Sequence, residues 1–290
     1  MPIHFPLISV NGSLDASISP LDRGFAYGDG VFETCRYVQG VIPLWNYHRE
    51  RLLHSVERLN IPFDECLLNQ YLDAMLARLS DANIAQAVVK VTLTRGVGGR
   101  GYRVPDQITP TYCVGVFPCS ELQSEQFRNG VPVRICDLRL SLAPALAGMK
   151  HLNRLEHILA RAEWQDEFAE GLLLDVQGCV IEATVSNLFA VKDNQLFTPD
   201  LSSAGVAGIM RKTIIDKLAP TLGLACHIVN MKLDFLREAD EIFLCNSVYG
   251  IWPVSTLVDD RQSTNSSQLS YSKHFITHTL QESLAQFFSE

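Results

Sequence analysis

The sequence predicts an α+β protein of two domains, a smaller N-terminal one and a larger C-terminal one, meeting at a cleft. Three observations carry this. Strand-like runs and amphipathic stripes are mixed without the steady strand–helix–strand alternation of a doubly wound sheet. A polar stretch, SELQSEQFRNG, separates two halves that each contain both kinds of element. The chain has 290 residues, 47% hydrophobic and 19% charged, enough for two ordinary cores and too apolar for wholesale disorder. The expected domains are residues 1–118 and 128–290, joined by a linker over 119–127.

In chain order, VIPLWNYHRERLLHSVERLNI opens with a short strand signal. It passes into a helical stripe of Leu52, Leu53, Val56 and Leu59. CLLNQYLDAMLARLSDANI reads as a second amphipathic helix. QAVVKVTLTRG and PTYCVGVFPC are rich in β-branched and aromatic residues and read as strands, joined by the loop RGVGGRGYRVPDQIT. Beyond the polar stretch, VPVRICDLRLS resumes strand character. A helix bearing Leu152, Leu155, Ile158, Leu159 and Ala162 follows. EGLLLDVQGCVIEATVSNLFAVKDNQLFTP is a succession of short strands, with turns at Gln177–Gly178 and Asp193–Asn194. A loop and a helix at SSAGVAGIMRKTIIDKLAPTLGL, strands in CHIVNMKL and DEIFLCNSVYGIWPV, and a helix from about Ser270 complete the chain.

The formal net charge is −8, and lysines and arginines form no block. This argues against nucleic acid as a partner, because such affinity rests on neutralising phosphates. The eight cysteines form no C-x-x-C pair and none stands at zinc-ligand spacing from a histidine, so no metal site is expected. They read as small buried hydrophobes in a reducing compartment. The N-terminus has no secretion signal and no apolar run reaches membrane-span length, so a soluble cytoplasmic protein is expected.

Three local features suggest chemistry. Gly205 and Gly208 precede a helix carrying Ile209, Ile214, Ile215 and Leu218, where close backbone approach and free amides suit an anion. Alone, such a pattern is more often an ordinary turn, and this segment matches neither G-x-x-x-x-G-K-[ST] nor G-x-G-x-x-G. Glu182 shares a strand face with Val180, so its carboxylate points where an apolar neighbour points and wants a cationic or protonated partner; a strand-edge glutamate facing water is an equal reading. Lys150 follows the uncharged run APALAG, which favours the neutral, nucleophilic amine. A solvated lysine is the ordinary alternative, and Lys90 in AVVKVTLTRG is its rival. An amine for an aldehyde, an acid for a ring nitrogen and a cradle for a phosphate are what pyridoxal 5'-phosphate requires together.

DRGFAYGDGVFET, YHRERL, GGRGY, KHLNRLE, VIEATVSNLF, GVAGIMR and DEIFLCNSVYGIWPV occur in this order along nearly the whole chain. In these segments the chain resembles the fold-type IV pyridoxal-phosphate enzymes (class IV aminotransferase family). These are the branched-chain and D-amino-acid aminotransferases and 4-amino-4-deoxychorismate lyase. The resemblance implies a two-domain, D-amino-acid-aminotransferase-like fold with the active site between the domains. It also implies a homodimer.

By the same resemblance, Lys150 forms the Schiff base and shuttles a proton, and Glu182 binds the ring nitrogen. Arg51, the backbone of Ile209 and Met210, and Ser247 hold the phosphate. KHLNRLE and GGRGY look most like the lyase, whose substrate is 4-amino-4-deoxychorismate. D-amino-acid aminotransferases hold the substrate carboxylate with an arginine and a histidine two residues later. Here Arg100 is followed by Tyr102, which makes these two the candidate carboxylate anchors. Glu33 in GVFET counts the other way, as a residue the aminotransferases often carry. Thr34 is the candidate proton donor to the leaving enolpyruvyl group. An aminotransferase of D-amino or branched-chain amino acids, or a non-catalytic carrier of the cofactor, are the other readings.

Overall fold

The computed structural model describes residues 4–119, 124–261 and 267–288, and the chain divides into two compact units. The first comprises residues 1–120 and 149–153, the second residues 121–148 and 154–290. Of the expected linker at 119–127, residues 120–123 lie outside the described residues, and α4 begins at Ser124.

The first unit contains β1 (Leu7–Val10), α1 (Arg23–Tyr27), β2 (Gly30–Val38), α2 (Trp45–Arg58), α3 (Glu65–Asp81), β3 (Gln86–Thr94) and β4 (Thr111–Pro118). The strands pair antiparallel in the order β1-β4-β3-β2. Period-2 alternation sets the faces: Val31, Cys35 and Tyr37 on β2 and Val89, Val91 and Leu93 on β3 are buried, against Leu52 and Val56 of α2 and Leu68, Leu72, Met75 and Leu79 of α3. Each such leucine withdrawn from water contributes about 1.5–3 kcal/mol. The strand signal at VIPL amounts to one isolated bridge, Val38 to Val41, ahead of α2.

Helix α1, which the sequence pattern did not reveal, is built by the motif DRGFAYGDG. Asp22 caps it, accepting from the Gly24 and Phe25 amides, and Gly28 closes it in the left-handed region at φ +68°. The chain then returns from afar: Phe32 N–H donates to Lys150 O at 2.9 Å and Leu152 N–H to Gly30 O at 3.0 Å. Residues 149–153 therefore run along the edge of β2.

The second unit contains α4 (Ser124–Asn129), β5 (Val131–Leu140), α5 (Leu155–Arg161), β6 (Glu170–Asp175), β7 (Val180–Ala183), β8 (Asn187–Lys192) and β9 (Gln195–Pro199). It continues with α6 (Ile209–Thr213), α7 (Ala219–Thr221), β10 (Cys226–Val229), α8 (Leu233–Arg237), β11 (Glu241–Asn246), β12 (Gly250–Asp259), β13 (Ser267–Ser270) and α9 (Phe275–Phe287). The sheet order is β10-β9-β8-β11-β12-β5-β6-β7, with β13 on β12. Its pairs are mixed: β12-β5-β6 and β9-β10 run parallel, the others antiparallel. The core gathers Val131, Val133, Leu172, Leu174, Leu188, Ile242, Leu244 and Val254.

Helix α6 passes through a π-turn, Ile214–Leu218, into α7. Pro220 has no N–H for the carbonyl a turn back, and a wider turn precedes it. The last helix starts at Phe275 rather than near Ser270, which ends β13.

One expected element differs in kind. The stripe after Lys150 does not begin a helix directly: α5 starts at Leu155, and Leu155, Ile158 and Leu159 are 72%, 62% and 60% exposed. Among the described residues, its apolar face meets no core. Among the described residues, no helix is long and apolar enough to cross a membrane.

Candidate active site

In the first unit, Lys150 is half-buried with its Nζ 4.6 Å from the centroid of the Phe32 ring. Backbone pairing to β2 fixes its Cα, and Met149 before it is buried. The rival Lys90 lies over the same ring at 4.8 Å. Phe32 and Thr34 share a strand face, and Thr34 is registered opposite Lys90.

The other face of β2 carries Glu33, opposite Val91 and 1% exposed. A carboxylate on an apolar face needs partners, and α2 provides two. Arg51 donates from Nε at 2.8 Å to one oxygen and from Nη2 to the other, and His48 Nδ1 lies 2.7 Å from Oε2. Burial pushes the Glu33 carboxyl up, but the Arg51 charge and the His48 and Arg51 hydrogen bonds outweigh it and hold it at about 2. Burial pushes His48 the other way, below the usual imidazole range. The sequence marked Arg51 for a phosphate and did not reveal that its Nε–Nη2 edge is given to Glu33.

Arg100 and Tyr102 lie on the loop between β3 and β4, and both are exposed, Tyr102 by 86%. The loop is held from below. Arg23, 3% exposed, is fixed by Asp29 at 2.8 Å and donates Nη1 to Gly101 O at 3.0 Å. Tyr27 accepts the Gly101 N–H at 3.0 Å, and its ring meets that of Tyr102 edge-on at 5.6 Å. Arg95 takes the rest of Asp29, whose carboxyl burial raises but the two arginines bring below its ordinary value.

In the second unit, Glu182 sits on β7, 3% exposed. Its Oε2 accepts the Val206 N–H at 2.9 Å and its Oε1 lies 2.9 Å from His157 Nε2. The glycine at 205 makes this approach possible: φ is +83°, and a Cβ there would fall 2.7 Å from Ile181 and 3.4 Å from the Glu182 carboxyl carbon. Gly208 is the N-cap of α6, and a Cβ would lie 1.9 Å from Asn187 Oδ1. Asn187 Nδ2 in turn holds Val206 O at 2.9 Å. The helix that begins at Ile209 and Met210 has no side-chain cap and no acidic residue in its first turn, so its leading amides suit an external anion.

Ser247 lies in the turn between β11 and β12. Asn246 shapes that turn, accepting the Val248 and Tyr249 amides at 2.9 and 2.8 Å. His157, Asn187 and Asn246 were not marked by the sequence, since a polar side chain that serves another leaves no periodic trace.

The residues at 30–257 match the family model Amino-transferase class IV. The chain belongs to the class IV aminotransferase family. This family and its lyases are dependent on pyridoxal phosphate, and the α+β architecture is the fold-type IV one. The Aminodeoxychorismate lyase of Vibrio harveyi is 40% identical to this member over 85% of the chain and 89% of that protein. The crystal structure of 4-amino-4-deoxychorismate lyase from Pseudomonas aeruginosa is also 40% identical and superimposes with a TM-score of 0.87, covering 97% of this chain and 98% of that one. D-alanine aminotransferase of Listeria monocytogenes is 30% identical over 83% of the chain and 82% of that protein.

The residues of this family member fit the cofactor. Lys150 carries an amine, Glu182 is a buried acceptor, and the start of α6 has leading amides with no side-chain cap and no acidic residue beside them, the kinds of group the cofactor needs.

Proposed function

We propose that the protein is an aminodeoxychorismate lyase, converting 4-amino-4-deoxychorismate to 4-aminobenzoate and pyruvate. The observation that carries this is the 40% identity over 85% of the chain to a lyase, against 30% over 83% to a D-alanine aminotransferase.

When bound, pyridoxal phosphate supplies the electron sink for the charge left on the substrate carbon that bears the amine. Lys150 Nζ holds the cofactor in the resting enzyme and removes the proton from that carbon. Glu182 keeps the ring nitrogen protonated. Arg51, the Ile209 and Met210 amides and the Ser247 hydroxyl bind the phosphate, with charge-assisted bonds from the guanidinium. Arg100 and Tyr102 bind a substrate carboxylate. The Thr34 hydroxyl gives a proton to the departing enolpyruvyl oxygen, and loss of that group makes the substrate ring aromatic.

The exposed Leu155, Ile158 and Leu159 stripe on α5 is the surface a second copy of the chain covers in a homodimer. Among the described residues no disulfide links the cysteines, which suits a reducing cytoplasm.

Purified protein given the chorismate derivative, with no added keto acid, releases fluorescent 4-aminobenzoate. If none forms, and D-alanine alone alters the cofactor's visible absorption, the protein is an aminotransferase, the reading that the 30% identical relative favours. A carrier does neither.

A further inference from the structure

His157 stands on α5, seven residues after Lys150, on a helix whose apolar stripe points away from the core. The ring itself is turned inward: its side chain is 14% exposed and Nε2 lies 2.9 Å from Glu182 Oε1. Glu182 is 5% exposed as a side chain, and Val206 N–H at 2.9 Å is on its other oxygen. Each carboxylate oxygen is thus engaged from the protein side by one donor, and each retains a lone pair for another. An ionised carboxylate has no proton to offer, so this contact requires a proton on Nε2 of the ring. Among the described residues Nδ1 is buried with no hydrogen-bond partner, so no competing polar contact there turns the ring another way.

We propose that His157 is a positioning residue for Glu182. By donating Nε2–H to Oε1 it fixes the carboxylate plane, so that a lone pair left on the carboxylate would meet the protonated ring nitrogen of pyridoxal phosphate. This rests on the reading of Glu182 as the partner of that nitrogen. With an apolar side chain at 157, Oε1 is buried without a donor. Such a carboxylate rotates away, which removes its negative charge from the cofactor nitrogen.

The test is titration of cofactor-free protein with pyridoxal phosphate, reading affinity and the position of the visible band in His157→Leu, His157→Gln and Glu182→Gln. Losing one hydrogen bond to a charged acceptor predicts about 10- to 100-fold weaker retention in His157→Leu, with a displaced band. The amide of His157→Gln still carries a donor and recovers most of both. Equal losses in the leucine and glutamine variants, or none in the leucine variant while Glu182→Gln is perturbed, overturn the proposal for His157 alone. An unperturbed Glu182→Gln removes the reading of Glu182, and the proposal with it. Nitrogen-15 NMR of the unmodified holoenzyme gives an answer that does not depend on any variant folding: a proton on Nε2 supports the proposal, and one on Nδ1 alone refutes it.

Discussion

Replacing Glu33 by glutamine tests the account of the buried charge cluster on β2. The carboxyl sits at about 2 against an ordinary 4.5. The difference of about 2.5 pH units, at 1.36 kcal/mol each, corresponds to about 3 kcal/mol of stability at neutral pH. Breaking a buried ion pair by removing one partner independently suggests about 3–5 kcal/mol. Because the folded-state value is depressed, this contribution is present above the unfolded value and lost as pH falls through 4.5 toward 2. The gap in unfolding free energy between wild type and Glu33→Gln should therefore be about 3 kcal/mol at pH 7 and less than half of that at pH 3. Urea unfolding of the cofactor-free proteins across that range measures it. A gap that stays constant from pH 7 to pH 3 refutes the reasoning, because it would mean that Glu33 loses packing and not a stabilised charge.

Four further outcomes are expected. Lys150→Ala abolishes the cofactor's visible band, and a normal band in that variant removes the lysine from its role. Gly208→Ala forces Asn187 away from its place, and thermal unfolding should register a loss of about 1–3 kcal/mol together with weakened cofactor retention. Arg23→Gln frees the loop at Gly101 but leaves Asp29 paired with Arg95, so KM should rise about tenfold, the worth of one charged hydrogen bond, with kcat little changed; an unaltered KM would show that the loop needs no anchor. Ile158→Glu puts a charge on the exposed stripe of α5 and should give a monomer by analytical ultracentrifugation, at a stability cost within about 0.5 kcal/mol for the isolated chain.

Elements with strong periodicity were legible in the sequence. The stripes of α2 and α3 and the β-branched runs of β3, β4 and β5 appear where the patterns place them. Asp193 and Asn194, both at positive φ, make the turn that their residue types announce. Helix α1 was not legible, since five residues fixed by one cap and one glycine are too short to show a period. The α5 stripe was legible as a helix and misleading as to where it faces: Leu155, Ile158 and Leu159 are exposed, and an apolar period alone does not say what lies against it.

At the site, strand alternation left Glu182 open between a buried and a water-facing carboxylate, of which the buried one is found, and two glycines marked the approach to α6. The Glu33–Arg51–His48 cluster could not be placed. It needs the register of β2 against β3 and the phase of α2 at once, and each is a tertiary quantity.

The five residues at 149–153 belong with the first 120 although some thirty positions of the other unit separate them. On the ribosome, the border of β2 must therefore wait, its Gly30 and Phe32 backbone groups unmatched, until the lysine segment has been made. A truncated nascent chain ending before it would carry an open, pairing-competent strand border, the kind of edge that recruits other chains. Splitting the gene at the 120s would leave the same defect in the N-terminal fragment and strand Lys150 on the wrong piece.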